Sequence, residues 1–160
     1  MSTTRTRTPT RPASSVAIQI AVAARGVPSR ARLRRWALAA ASGSTELTLR
    51  IVGAAEARRL NRSYRKRDYA TDVLTFVYSR SPRRGDIVLC HPVLARAARE
   101  RRIPLDAHYA HLVVHGMLHL RGYDHVRARD ASRMERMETR LLAAIGYADP
   151  YAVESGPSSR

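Results

Sequence analysis

The chain has 160 residues, enough for one domain with a hydrophobic core and too few for two ordinary ones. Its 29 basic residues outnumber its 13 acidic residues, and the net charge of +16 favours a polyanionic partner, most often nucleic acid. No apolar run approaches the roughly 18 to 20 residues of a membrane-spanning helix, so we expect no membrane partner. The single cysteine, Cys90, cannot form an internal disulfide, which fits a reducing compartment.

The two ends of the chain differ in composition from the rest. Residues 1–15 are rich in Thr, Arg and Pro, so we expect a disordered basic tail that cannot contribute to a core. A transit peptide has a similar composition, but Pro9 and Pro12 would interrupt its amphipathic helix. The sequence therefore predicts one folded domain over 16–150, followed by a second disordered tail over 151–160.

Hydrophobic periodicity predicts strands mixed with helices between the two tails. Ser29 is a possible helix cap, and Gly122 and Gly146 mark helix ends. The predicted elements, in chain order, are strand 16–22, helix 30–41, strand 46–52, helix 54–64, strands 71–78 and 85–90, helix 93–102, a helix from Pro104 to Leu120 and a last helix 126–145. A turn-rich segment, 79–85, separates the third and fourth strands like a hairpin. This order indicates an α/β fold, a single compact domain with a small mixed β-sheet packed with helices.

Four of the six histidines lie in HLVVHGMLHLRGYDH, residues 111–125. On a helix, His115 and His119 project from one face because they are four residues apart. Gly122 can adopt a backbone conformation that turns the chain back and brings His125 to the same point. Three neutral imidazoles suit Zn²⁺ and leave its fourth position to water, as in catalytic zinc sites that activate water. The spacing predicts one zinc ion per chain, on the central helix and the turn after it.

The other histidines have plainer interpretations. His111 lies one turn before His115, and we interpret it as a core or cleft-lining residue; we interpret His91 and His108 as ordinary histidines. The same three-histidine frame occurs in metzincin peptidases, where a glutamate that serves as general base follows the first histidine. Gly116 occupies that position here, which argues against a peptidase.

Three segments resemble one known family. HGMLHLRGYDH, residues 115–125, is similar to the signature of the YbeY family of bacterial metal-dependent endoribonucleases. LNRSYRKRDYATDVLTF, residues 60–76, resembles that family's LN-x-x-YR…TDVLSF segment, and GDIVLC, residues 85–90, matches a third block. The similarity covers about 47–145, and the three blocks occur in the expected order.

The resemblance implies a zinc site of His115, His119 and His125, with Arg65 as a functional arginine beside it. It implies a zinc-dependent single-strand endoribonuclease that works in the cytoplasm, in 16S rRNA 3′-end maturation and ribosome quality control. Ribosomal RNA and the ribosome are the implied partners. In this interpretation Arg65 clamps a phosphate bidentately and His115 is the second residue assigned to catalysis.

Three positions depart from the family pattern. Lys66 replaces a glycine, Ala70 a proline and Thr75 a serine, and the first change makes its loop more basic and stiffer. Asp124, beside the third histidine, has three open roles: it orients a ligand imidazole from behind, it accepts a proton, or it caps the following helix.

Two other functions remain open. One is a non-enzymatic RNA-binding ribosome assembly factor, in which zinc stabilises the fold and arginines hold rRNA. The other is a metal-dependent peptidase or other hydrolase, which the missing glutamate disfavours. The open fourth ligand position favours an enzyme over the assembly factor.

Overall fold

A computed structural model describes residues 14–152, and both predicted tails lie almost entirely outside them. The strands in this part are β1 (Ser15–Ile20), β2 (Thr45–Val52), β3 (Val73–Arg80) and β4 (Arg83–Cys90). The helices are α1 (Arg30–Ala40), α2 (Ala54–Arg65), α3 (His91–Arg101), α4 (Leu105–Leu120) and α5 (Ala128–Ala144). The predicted α/β fold with a mixed sheet is confirmed.

The four strands form one sheet in the order β1-β2-β4-β3. Strands β1, β2 and β4 are parallel neighbours, and β3 runs antiparallel to β4 at the edge of the sheet. The predicted turn over 79–85 was too long, because Arg80 pairs with Arg83 and only Ser81 and Pro82 separate the strands. Strand pairing extended the hairpin through Ser, Arg and Gly residues whose local preference is for turns.

The sheet carries unequal hydrophobic cores on its two faces. On one face, Leu49, Ile51 and Ile87 pack in a large cluster with residues of α1, α4 and α5. On the other face, Val88 and Cys90 belong to a smaller cluster with residues of α2. The side-chain alternation of β2 and β4 thus separates the two clusters, and α4 is enclosed by the larger one.

Helix α4 lies close against β4, which positions its histidines over the sheet. A Cβ atom on Gly85 would lie 2.2 Å from Leu120 Cδ2 and 2.5 Å from the carbonyl oxygen of Phe76. A Cβ atom on Gly116 would lie 2.8 Å from Ile87 Cδ1. Glycine at these two positions therefore permits the close approach of helix and sheet.

The ends of the described chain are built into the fold. Ser15, predicted to be the last tail residue, begins β1. Tyr151, predicted to lie in the C-terminal tail, instead donates its hydroxyl to Glu138 Oε2 at 2.5 Å. No helix within residues 14–152 is long and apolar enough to cross a membrane.

Candidate metal centre and the adjoining cleft

The last turns of α4 present two imidazoles side by side. His115 and His119 have ring centroids 4.7 Å apart, and their Nε2 atoms are separated by 3.1 Å. This proximity follows from the four-residue spacing on a helix, as the sequence predicted.

The turn after α4 adds the third imidazole. Gly122 has a φ of +92°, and the N–H of Tyr123 donates to the carbonyl oxygen of Leu118 at 2.9 Å, a glycine-terminated helix end. The chain reverses there, and the ring of His125 lies 5.0 Å from that of His119. One nitrogen from each of the three histidines lies within 4.8 Å of the others. The structure therefore brings together the three predicted ligands.

Hydrogen bonds behind two of these rings determine which nitrogen carries the proton. Nδ1 of His119 lies 3.0 Å from the carbonyl oxygen of Tyr123, and Nδ1 of His115 lies 2.7 Å from Glu138 Oε1. A carbonyl and a carboxylate can only accept, so each Nδ1 must donate and each Nε2 keeps a lone pair.

The donor set therefore fits a metal ion. Two Nε2 lone pairs that face one another at 3.1 Å repel unless a cation or a proton lies between them. Nitrogen ligands about 2.0 to 2.1 Å from a tetrahedral zinc ion are separated by roughly 3.3 Å, close to this spacing. Burial lowers the pKa of His119, and the neighbouring His115 and His125 lower it further, so the neutral, ligating form is favoured.

Glu138 is the site residue that the sequence analysis missed. Its side chain is 1% exposed, and its two carboxylate oxygens accept hydrogen bonds from His111, His115 and Tyr151. Burial of the carboxyl opposes ionisation, but these hydrogen bonds outweigh it and lower the pKa of Glu138 to about 2. The carboxylate is thus ionised behind the His115 ring, where it fixes the direction of that imidazole.

A signal for Glu138 was present in the sequence. Met134, Glu138 and Leu142 are spaced four residues apart on α5, and all three are buried. A glutamate within an apolar stripe needs partners, because an unpaired buried carboxylate is strongly unfavourable. Periodicity could not identify the histidine partners of Glu138, because His111 and His115 lie 27 and 23 residues earlier in the chain.

His111 lies behind the cluster rather than in it. Its Nε2 is 2.5 Å from Glu138 Oε2, and its ring is 6.3 Å from that of His115 in an edge-to-face arrangement. His91 and His108 are both buried in the fold, away from the three converging nitrogens.

Asp124 stabilises the backbone of the turn that carries His125. Its Oδ1 accepts from the backbone N–H of His125 at 2.6 Å and of Val126 at 3.0 Å. Helix α5 begins later, at Ala128, so Asp124 caps this turn and not the helix. No hydrogen bond to a ligand imidazole is formed by its side chain within the described chain.

Arg65 approaches the histidines from the end of α2. Its Nη2 donates to the carbonyl oxygen of Thr75 on β3 at 3.0 Å, and it lines the same cleft of about 670 Å³ as the three histidines. Lys66 ends α2 in a left-handed conformation, with a φ of 59°. A glycine adopts this conformation freely, whereas a lysine there costs roughly 1 to 2 kcal/mol, which explains why the family pattern has glycine.

The cleft has a basic character beyond Arg65. Arg67 and Arg80 also line it, and Tyr69 and Tyr123 supply aromatic surface. No glutamate can follow the first histidine, because the position of Gly116 lies against Ile87. The general base of a metzincin peptidase therefore has no place in this helix.

Fold and donor set together define the class: a small α/β protein with a candidate three-histidine metal centre in a basic cleft. The family model described as "Endoribonuclease YbeY" matches residues 30–146, and the chain belongs to this family. Endoribonuclease YbeY of Aromatoleum aromaticum is 61% identical over 126 residues, which cover 78% of this chain and 82% of the relative. The Bordetella pertussis relative of the same name is 56% identical over 150 residues, covering 86% and 95%.

A solved structure supports the same fold. The solution structure of a Thermotoga maritima protein aligns with a TM-score of 0.54 and 22% identity, covering 91% of this chain and all of its own. At this identity the likeness establishes the shared fold. The family membership established above confirms the resemblance of the three sequence blocks.

Proposed function

We propose that this protein is a zinc-dependent endoribonuclease that cuts single-stranded RNA. We place its action in the cytoplasm, in 16S rRNA 3′-end maturation and ribosome quality control, with ribosomal RNA and the ribosome as partners. The names of its relatives support RNA cleavage. The net charge of +16 supports binding to RNA, and a donor set of three imidazoles suits one zinc ion per chain.

One observation carries the metal part of the proposal. The Nε2 atoms of His115 and His119 face each other at 3.1 Å, while both Nδ1 atoms donate to groups that only accept. His125 approaches the same point from an exposed turn. Because this third residue lies on the open side, the centre faces the cleft, as a catalytic site requires.

The residues around the centre have distinct proposed roles. Zinc held by His115, His119 and His125 would act as a Lewis acid and lower the pKa of a bound water. Glu138 keeps the His115 ring in the ligating direction. The hydrogen bond to Thr75 holds the Arg65 guanidinium in place, and its remaining N–H groups can bind phosphate oxygens. Such a preorganised donor stabilises the charge that develops on the phosphate in the transition state.

A second candidate, the non-enzymatic assembly factor, is favoured by a different surface. Arg58, Arg59 and Lys66 form an exposed basic face on and just after α2, which lines a cleft of its own away from the histidines. Such a face can hold the RNA backbone without any cleavage. Both candidates predict RNA binding, so only the chemistry at the histidine cleft separates them.

The test is the Arg65→Ala variant with zinc bound. We expect unchanged zinc content, unchanged folding and nearly unchanged affinity for single-stranded rRNA, with cleavage slowed by roughly 10²- to 10³-fold. One arginine contributes little to the overall attraction of so basic a chain, whereas a transition-state contact acts on the rate. The Arg65→Lys variant should recover little activity, because a point charge does not reproduce the planar fork.

The matched control is Arg62→Ala, an exposed arginine of the same helix that lies outside the histidine cleft. We expect this variant to cleave at close to the wild-type rate. Cleavage of a labelled 16S precursor, with and without a chelator, provides the measurement. Wild-type rates for both alanine variants would show that Arg65 is ordinary surface. Absence of RNA cleavage by the zinc-loaded wild-type protein, with RNA binding retained, would favour the assembly factor.

A further inference from the structure

A second cleft, on the open face of the sheet, takes no part in the candidate metal centre. It has a volume of about 660 Å³ and lies beside α2, on the side of the smaller core. We call it the sheet-face cleft and define it by Tyr64, Phe76, Tyr78, Thr48 and Val88. Its lining is mixed in polarity, so the identity of its occupant depends on the groups that are exposed there.

Two tyrosine rings are largely exposed in this cleft. Tyr64 and Tyr78 are each 66% exposed. Both are nevertheless held in place. The ring of Tyr64 packs edge to face on Phe76, with centroids 5.2 Å apart, and the hydroxyl of Tyr78 donates to Asp86 Oδ2 at 2.7 Å. Rings that are already ordered lose little conformational entropy when a flat ligand stacks on them.

A backbone irregularity directs one of these rings. The pairing of β3 with β4 shifts register between Val77 and Ser79, so Tyr78 is the extra residue of a bulge. Bulges occur at sheet edges, where they change the direction of a side chain. The bulge and the hydrogen bond to Asp86 therefore hold the Tyr78 ring at the rim of the sheet-face cleft.

The sheet-face cleft is continuous with the histidine cleft. Arg65, Thr75 and Val77 line both. All three lie at β3 or against it, and β3 is the edge strand, so a flexible chain can cross this edge from one cleft to the other. Arg65 stands at the crossing.

These features identify one kind of occupant. Exposed aromatic rings stack on unpaired bases, and the bases of a duplex are not available for such contacts. The arginine at the crossing and the net charge of +16 complement a phosphate backbone. Two rings on one side of Arg65 match about two bases on one side of a phosphate held by that arginine.

We propose that the sheet-face cleft binds the bases of single-stranded RNA next to the scissile phosphate, by stacking on Tyr64 and Tyr78. The proposal rests on the proposed function, because it takes RNA as the substrate of the histidine cleft. In this proposal the two tyrosines select single strands, and RNA cleavage takes place in the histidine cleft, on the other side of β3.

The test uses the zinc-loaded protein and a single-stranded RNA of about 12 nucleotides with one cleavage site. Tyr64→Leu and Tyr78→Leu should each raise KM by roughly 5- to 160-fold, because stacking contributes about 1 to 3 kcal/mol per base. The kcat and the zinc content should stay within about twofold, because a contact made equally in the ground and transition states changes KM alone.

Two controls separate stacking from other effects. Tyr78→Phe keeps the ring and removes the bond to Asp86, so we expect a rise in KM that is clearly smaller than that of Tyr78→Leu. Leu38→Ala removes another exposed apolar side chain, on α1, and should also leave KM unchanged. An RNA that lacks bases beside the cut should have the same high KM for wild type and for both leucine variants.

The outcomes distinguish this proposal from the proposed function. Unchanged KM in both leucine variants, with active wild type, overturns the stacking site and leaves the nuclease intact. Absence of cleavage by zinc-loaded wild type overturns the proposed function. In that case fluorescence anisotropy with the same RNA still decides the stacking site: weaker binding by the leucine variants supports it, and equal binding overturns it.

Discussion

Two groups of histidines lie in contrasting settings. One group is near the C-terminal end of α4, and the other is at the starts of α3 and α4. His115 and His119 each bind an acceptor through Nδ1 and direct Nε2 to a common point. Among residues 14–152, His91 has only the Tyr109 hydroxyl, at 2.6 Å, as a side-chain hydrogen-bond partner, and both ring nitrogens of His108 are buried without one.

Burial does not distinguish the two groups. Burial is the leading cause of a lowered pKa at His119, at His91 and at His108, where the pKa falls to about 4. A low pKa therefore keeps all three imidazoles neutral but does not indicate metal binding. What separates the groups is the convergence of lone pairs, which requires an acceptor behind each ring.

The largest expected effect comes from removing a converging histidine. His119→Ala should lose stoichiometric zinc, with an affinity loss greater than the roughly 100-fold that a group behind a ligand can cause. His108→Leu, on the same helix, should bind zinc like wild type. Competition with a chromophoric chelator measures both affinities. Zinc retention at the wild-type level in His119→Ala and in His125→Ala would rule out the three-ligand centre.

An intermediate effect is expected from the acceptor behind His115. Glu138→Gln keeps the shape of the side chain but replaces a carboxylate oxygen with an amide donor, so it cannot accept from all of its present partners. We expect zinc affinity to fall by about 10- to 100-fold while the helical content is retained. Glu135→Gln, an exposed position on the same helix, is the control. Wild-type affinity in Glu138→Gln would mean that His115 needs no acceptor to hold its direction.

The smallest expected effect concerns the buried His108 and appears as a pH dependence of the free energy of unfolding. The pKa of His108 is about 4 in the folded chain and about 6.5 when unfolded. Between these values only the unfolded chain binds the proton, so the free energy of unfolding decreases as the pH falls from 6.5 towards 4. Above pH 6.5 both states are neutral and the residue has no such effect.

His108→Leu removes this titration. Urea unfolding with a chelator present, so that metal release does not contribute, should show wild type losing on the order of 1 to 2 kcal/mol more than the variant between pH 7 and pH 5. Parallel losses in the two proteins would show that His108 is hydrated or partnered in solution.

Local sequence pattern predicts the helices and strands of the fold but is less reliable for the residues at which they begin and end. Alternation in β2 and helical periodicity in α1, together with the Ser29 cap, are properties of neighbouring residues, and the structure confirms them. The length of the β3–β4 hairpin depends on pairing across the strands, which local preference underestimated. Tyr151 was assigned to a tail because its partner, Glu138, lies on another element.

By itself, the sequence determined that His115, His119 and His125 would converge, because a four-residue helical spacing and a glycine turn are local geometry. The tertiary structure alone decided what stands behind and around them. Glu138 reaches His115 only because α5 packs on α4, and Arg65 reaches the same cleft only because α2 ends beside β3. Such contacts depend on how elements pack, and short-range periodicity carries no information about packing partners far away in the chain.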